Sequence, residues 1–234
     1  MGGDGALKCR EMLARNHRLA LRICAPGFTL DSFTLLQQWQ RERLASSYSD
    51  LRSQPGCRPA CDFFLSELYG GLDFTERDQD MEKVMPVMIR FLSDKILMSL
   101  ADAFELQAIS LEFDLEMAEI LRVQGLRKLN DASYGAVYRR CNNRPLRERQ
   151  IRLIRQLGLD LARLVHRRFM MQLVRLLRGP AHATGFGKLQ VFLEDGLGAF
   201  KKLDDPKLFI DTIYQRESQS MQKLFDGEKH PFRL

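Results

Sequence analysis

Glycine and proline are scarce in this chain of 234 residues, at 16 and 8 respectively, which argues against a disordered or turn-rich all-β chain. No apolar run approaches the roughly 18 residues that span a bilayer, so no transmembrane segment is predicted. The first residues also lack the cationic and apolar regions of a signal peptide. These absences together predict a cytoplasmic protein.

Cysteine and histidine are also few, with five and four residues, and neither shows the spacing of a known site. Cys57 and Cys61 are separated by three residues, which fits neither a C-x-x-C redox motif nor half of a zinc knuckle, so we interpret them as structural thiols. No histidine follows a glutamate by three residues, as the Glu-x-x-His pairs of di-iron bundles require. His166 is a lone helical histidine, a weak signal for a haem ligand.

No motif for dinucleotide binding, phosphate binding or a nucleophile elbow is present either. The sequence therefore predicts no catalytic residue, no metal site and no cofactor.

Apolar residues recur at helical spacing almost throughout, which predicts an all-α bundle of about nine helices with no sheet. The helices are expected near residues 6–24, 30–53, 61–69, 75–91, 94–124, 131–141, 143–178, 188–203 and 207–225. We expect one domain over residues 1–234, with 1–58 as a variable N-terminal helical pair and 59–234 as the main bundle.

Charge is sorted into blocks along the chain. Residues 61–121 carry 14 acidic and 4 basic residues, whereas residues 122–178 carry 15 basic and 3 acidic ones. At 100° per residue, five carboxylates fall within an arc of about 100° on the helix near 94–124. They are Asp102, Glu105, Glu112, Glu116 and Glu119. This arc predicts either a solvated face or a partner for a basic helix.

Arginines form a matching arc of about 80° on the helix near 143–178. They are Arg149, Arg152, Arg163, Arg167 and Arg178. A guanidinium can bind a carboxylate or a phosphate through two donors. Three partners stay open: the acidic helix of the same chain, the acidic block of a second subunit, or an anion such as nucleic acid. The acidic block and the few aromatics near the arginines argue against nucleic acid.

One segment resembles a known group. Residues 63–80 read FFLSELYGGLDFTERDQD. Two later segments carry the same resemblance, namely LRGPA at 177–181 and FLEDG at 192–196. They resemble uncharacterised helical proteins of proteobacteria, over about residues 60–232. The resemblance implies a helical fold in a bacterial cell, and it points to no particular activity.

The same segment contains a Tyr-Gly-Gly turn followed by charged residues: Tyr69, Asp73, Arg77 and Asp78. Carboxylates at the start of a helix are stabilised by the helix dipole, which is a structural explanation for them. The alternative is a ligand-binding corner, because loops that hold polar groups rigidly are common binding sites.

The first functional hypothesis is a non-enzymatic interaction protein that binds a protein partner or itself through the acidic and arginine-rich helices. The alternatives are a bundle that binds a lipid, tetrapyrrole or metabolite, with or without catalysis, and a nucleic-acid-associated factor that uses the arginine-rich helix. Salt-sensitive association without a small molecule is expected for the first, and a bound compound for the second.

Overall fold

The computed structural model describes residues 3–28, 30–68, 85–86, 89–90, 92–165 and 187–233. These residues form nine α-helices and contain no strand, as the helical spacing predicts. The helices are α1 Asp4–Ile23, α2 Leu30–Ser47, α3 Ser49–Ser53, α4 Arg58–Phe63, α5 Asp94–Val123, α6 Asp131–Arg140, α7 Arg144–Val165, α8 Gly187–Lys201 and α9 Pro206–Asp226. No helix in the described ranges is both long and apolar enough to cross a membrane.

Most predicted boundaries lie within a few residues of the observed ones, with two differences. The helix expected over 30–53 is interrupted at Tyr48, so that α2 and α3 are separate. The helix expected at 61–69 begins earlier, at Arg58, and continues from Phe64 to Leu68 as a π-helical turn. Most of the helix expected at 75–91, and the end of the one expected at 143–178, lie outside the described residues.

Helix α5 is the longest helix of the described residues, and α1, α2 and α7 pack around it. Buried apolar side chains therefore lie on several of its sides, with Phe104, Ile109 and Phe113 among them. α1 approaches α5 closely at Gly5, whose N–H donates to Oδ1 of Asp94 at 2.9 Å. A Cβ atom at Gly5 would lie 2.6 Å from the backbone oxygen of Asp94, so only glycine permits this approach.

A second part of the core lies where α4, α7, α8 and α9 meet. Phe200 and Phe209 are buried there and both contact the ring of Phe64. α9 packs along α7, with Gly158 directly beneath the side chain of Ile210. These contacts hold α7 between α5 and α9 and leave one side of α7 facing outward.

The start of α6 is fixed by a capping box, as the Asn130-Asp131 sequence suggests. Oδ1 of Asn130 accepts from the backbone N–H of Ser133 at 2.9 Å, and Oγ of Ser133 accepts from the backbone N–H of Asn130 at 2.9 Å. Each bond satisfies a backbone donor that a helix start would otherwise leave unpaired.

Replacing Asn130 with alanine is expected to lower the free energy of unfolding by about 1 kcal/mol, because the N–H of Ser133 loses its acceptor. Urea unfolding followed by circular dichroism measures this change. Asn130→Asp is the control, since aspartate also accepts at this position, and it should retain most of the stability. Equal losses in the two variants would show that the loss does not come from the missing hydrogen-bond acceptor.

Candidate functional site

The five carboxylates predicted on one arc do share one side of α5, and we call them the acidic band: Asp102, Glu105, Glu112, Glu116 and Glu119. The band faces α1 at one edge and α7 at the other. Lys8 of α1 bonds Asp102 at 2.7 Å and Glu105 at 3.1 Å. From α7, Arg149 binds both oxygens of Glu105, at 2.8 and 2.9 Å. Two cations on different helices therefore neutralise the first two carboxylates.

The remaining members of the band also have partners within the chain. Arg15 of α1 binds both oxygens of Glu112, at 2.9 and 2.6 Å. Glu116 accepts from the amide of Asn143 at 2.9 Å. Glu119 is paired with Arg122 on α5 itself. The described structure thus places α1 and α7 on the two edges of the band.

Burial along the band falls from its first member to its last. The side chain of Asp102 is 6% exposed, whereas that of Glu119 is 59% exposed. Hydrogen bonds from Arg149 lower the pKa of Glu105 below its usual value, against the opposing effect of burial. Glu105 therefore stays ionised and paired near neutral pH.

Of the described arginines of the predicted basic arc, Arg149 faces α5, whereas Arg152 and Arg163 lie on the outward side of α7. Arg149, Arg152 and Arg163 have side chains that are 35%, 54% and 69% exposed. Arg152 lies 3.8 Å from Glu148, and Arg163 lies 2.9 Å from Asp160. Both partners are one helical turn away on α7. Such exposed local pairs contribute a few tenths of a kcal/mol, so an incoming carboxylate can replace them.

A groove of about 370 Å³ runs along this side of α7. Arg152, Arg155 and Arg163 line it, together with Leu159 and with Tyr214 of α9. The guanidinium of Arg155 lies 5.2 Å from the ring of Tyr214 and bonds Asp211 at 2.8 Å. We call these five lining residues the arginine face. It combines three cations with an aliphatic and an aromatic surface.

Other predicted site residues lie outside the described ranges. These are Arg167 and Arg178 of the basic arc, and Tyr69, Asp73, Arg77 and Asp78 of the proposed ligand-binding corner. His166 lies outside them as well. Within the described part of the chain, no group of three potential metal ligands occurs. The thiols of Cys57 and Cys61 are free, and burial raises the pKa of Cys61 to about 11.

The sequence did not indicate a polar cluster formed by the buried Gln40 and Arg147 and the partly buried Asp114. Arg147 is 6% exposed, and its guanidinium lies 3.6 Å from the ring centre of Phe113 and 4.3 Å from that of Tyr138. Asp114 accepts from the amide of Gln40 at 3.1 Å. Burial raises the pKa of Asp114 to about 6, although Gln40 and Arg147 oppose this shift.

Another polar groove, of about 540 Å³, lies between α2, α9 and the C-terminal residues. At its base Arg43 binds Glu217 at 2.6 Å, and the hydroxyl of Tyr48 donates to the same carboxylate at 2.7 Å. Arg216 binds both oxygens of Asp50. Arg43 and Arg216 each hold a carboxylate through two donors, so these two cations are less available to an anion than Arg152 and Arg163 of the arginine face, which make single contacts with their partners.

Fold and site together define an all-α protein in which a central acidic helix is paired with basic residues from helices on either side. The chain belongs to the family described as Domain of unknown function (DUF8198), whose model matches residues 27–231. The prediction of an uncharacterised family is thereby confirmed. The matched region begins before α2, whereas the resemblance covered the chain from about residue 60. No curated protein and no solved structure matches the chain.

Proposed function

We propose that this chain is a non-enzymatic interaction protein that binds an acidic segment of a partner protein on the arginine face of α7. The observation that carries the proposal is the exposure of Arg152 and Arg163, at 54% and 69%, beside the groove next to Tyr214. Arginine at such a site can hold carboxylates through two donors while its flat surface packs on an aromatic ring.

The state of the acidic band supports the choice of this surface. Its members have partners within the chain, and the first two are largely buried, so the band offers little free negative charge to another molecule. Arg152 and Arg163, in contrast, have carboxylate partners one turn away in the same helix, and Arg155 pairs with Asp211 of the adjacent α9. Replacing these carboxylates with carboxylates of a bound segment therefore costs little free energy.

An acidic peptide also fits the apolar part of the groove better than a nucleic acid does. Leu159 and Tyr214 are partly buried between the arginines, and they offer contact to an aliphatic side chain of a partner. Asp160 and Asp211 lie beside the same arginines and would repel a continuous row of phosphates. A segment that mixes glutamate with leucine can pair with the arginines and also pack against Leu159 and Tyr214.

The test uses a fluorescent peptide of about 20 residues, with glutamate and leucine each at every fourth position and uncharged polar residues between them, which is long enough to follow α7. We expect it to bind at low salt and to bind at least tenfold more weakly to the Arg152→Glu/Arg163→Glu variant. The matched control is Lys201→Glu/Lys202→Glu, which changes the net charge equally at exposed positions of α8 and the turn after it. This control should retain most of the affinity.

Two results would contradict the proposal. Equal losses in the two variants would show that only net charge attracts the peptide. Tighter binding of a single-stranded DNA of similar length, lost in the Arg152→Glu/Arg163→Glu variant, would instead assign the surface to nucleic acid.

A further inference from the structure

The outward side of α1 carries an apolar seam, which is independent of the arginine face. α1 buries Ala6, Cys9 and Leu13 against α5, yet Leu7 and Leu21 are 69% and 56% exposed. Ala14 is also exposed. Residues 7, 14 and 21 are spaced by seven, so they lie within an arc of about 40° on a straight helix. We call these three residues the α1 seam.

We propose that the α1 seam binds the same seam of a second copy of this chain, with the two helices antiparallel. A two-fold axis through Ala14 brings Leu7 of each copy against Leu21 of the other. The small side chain of Ala14 meets its own symmetry mate, so the two helices can approach closely at the centre. The seam is a single apolar row, narrower than the two rows of a coiled coil, so the contact between the two helices is small.

Charges beside the seam are complementary to themselves under the same symmetry. Glu11 and Arg18 lie on one edge of the seam, and both side chains are exposed. The two-fold axis brings Glu11 of one copy beside Arg18 of the other copy, with an offset of one residue along the helix axis. Both residues lie on the same edge of the seam. The Glu11–Arg18 pair therefore forms twice in the dimer. This self-complementary charge pattern favours a second copy of the chain over a different protein as the partner.

The other edge of the seam carries Arg10 and His17, which face each other across the same axis. Antiparallel pairing also sets the two helix dipoles head to tail. α1 lies before the residues that match the family model, so the proposal concerns this chain and not the family as a whole.

Sedimentation velocity over about 1 to 200 µM protein tests the dimer, since one helix pair buries a small area and predicts weak, concentration-dependent association. Leu7→Ser/Leu21→Ser is expected to weaken the association at least tenfold. The matched control is Val191→Ser/Leu208→Ser, which removes two other exposed apolar side chains, at 47% and 64% exposure. The control should associate like the unchanged chain.

Charge exchange tests whether the occupant is a second copy. Glu11→Arg and Arg18→Glu should each weaken the dimer, because each places like charges opposite each other. The double variant Glu11→Arg/Arg18→Glu should restore the dimer, since both partners change together. A surface that serves a different protein would give no such rescue.

Cross-linking with a short bis-maleimide reagent tests the orientation, in a background in which the exposed Cys24 is replaced with serine. Ala14→Cys should cross-link to itself. Leu7→Cys and Leu21→Cys should each stay uncross-linked alone and should cross-link when mixed. A chain that is monomeric at every concentration, a dimer insensitive to Leu7→Ser/Leu21→Ser, or cross-linking of Leu7→Cys to itself would overturn the proposal.

Discussion

Replacing Arg147 with alanine is expected to lower the free energy of unfolding by about 3–5 kcal/mol, the cost typical of removing one partner from a buried charged cluster. The guanidinium lies over the rings of Phe113 and Tyr138 and donates to Sδ of Met117 at 3.2 Å. Alanine leaves a cavity between these side chains. It also removes the positive charge that opposes the raised pKa of Asp114.

Chemical unfolding in urea at pH 7 measures this loss, and two further variants separate its causes. Arg147→Met keeps most of the volume without the charge, so it should lose less than half as much stability if packing dominates. In the Asp114→Asn background, Arg147→Ala should cost less than in the unchanged chain, since no carboxylate is left without its cation. A loss below about 1 kcal/mol in Arg147→Ala would show that the cluster is not stabilising.

Periodicity and capping residues were sufficient to predict most of the helices. Asn130 and Asp205 mark helix starts because their side chains accept from backbone donors within one turn, an interaction that depends only on local sequence. The interruption at Tyr48 could not be predicted in this way, because neither glycine nor proline occurs there. Packing of Tyr48 against the α8 and α9 region accompanies the break.

The candidate site was only partly predictable for a similar reason. Spacing placed the acidic band on one side of α5, since this depends on helix geometry alone. The basic partners Lys8 and Arg15 lie about 95 residues away in sequence, and nothing local indicates which helix packs beside the band. The sequence alone therefore could not distinguish the three possible partners of the arginine-rich helix.

Arg147 does not belong to the predicted arc of arginines on this helix, so the sequence analysis assigns it no role. Its position does carry a signal. Arg147 stands four residues before Ile151, and together with Gly158 and Val165 these residues follow the inner side of α7. A charged residue at such an inner position requires burial with a partner, and the structure provides Phe113, Tyr138 and the nearby Asp114.

Replacing Asp114 with asparagine is expected to raise the free energy of unfolding by about 1–3 kcal/mol at pH 7.5. Burial raises the pKa of this carboxyl from 3.8 to about 6 in the folded chain. Between these two values the folded chain binds the proton more tightly than the unfolded chain does, so its stability falls as pH rises through this window. Asparagine resembles the protonated acid and can still accept from Gln40.

Urea unfolding of both chains at about pH 4, 5, 6 and 7.5 measures the effect as a difference, which cancels the titration of groups that the two chains share. The advantage of Asp114→Asn should be near zero at pH 4 and largest at pH 7.5. Asp131→Asn is the control, because Asp131 lies near the surface at the start of α6. A difference that is constant with pH would show that Asp114 has the same pKa in the folded and unfolded chains. A stability loss in Asp114→Asn that grows with pH would show that the attraction of Arg147 for the carboxylate outweighs the cost of its burial.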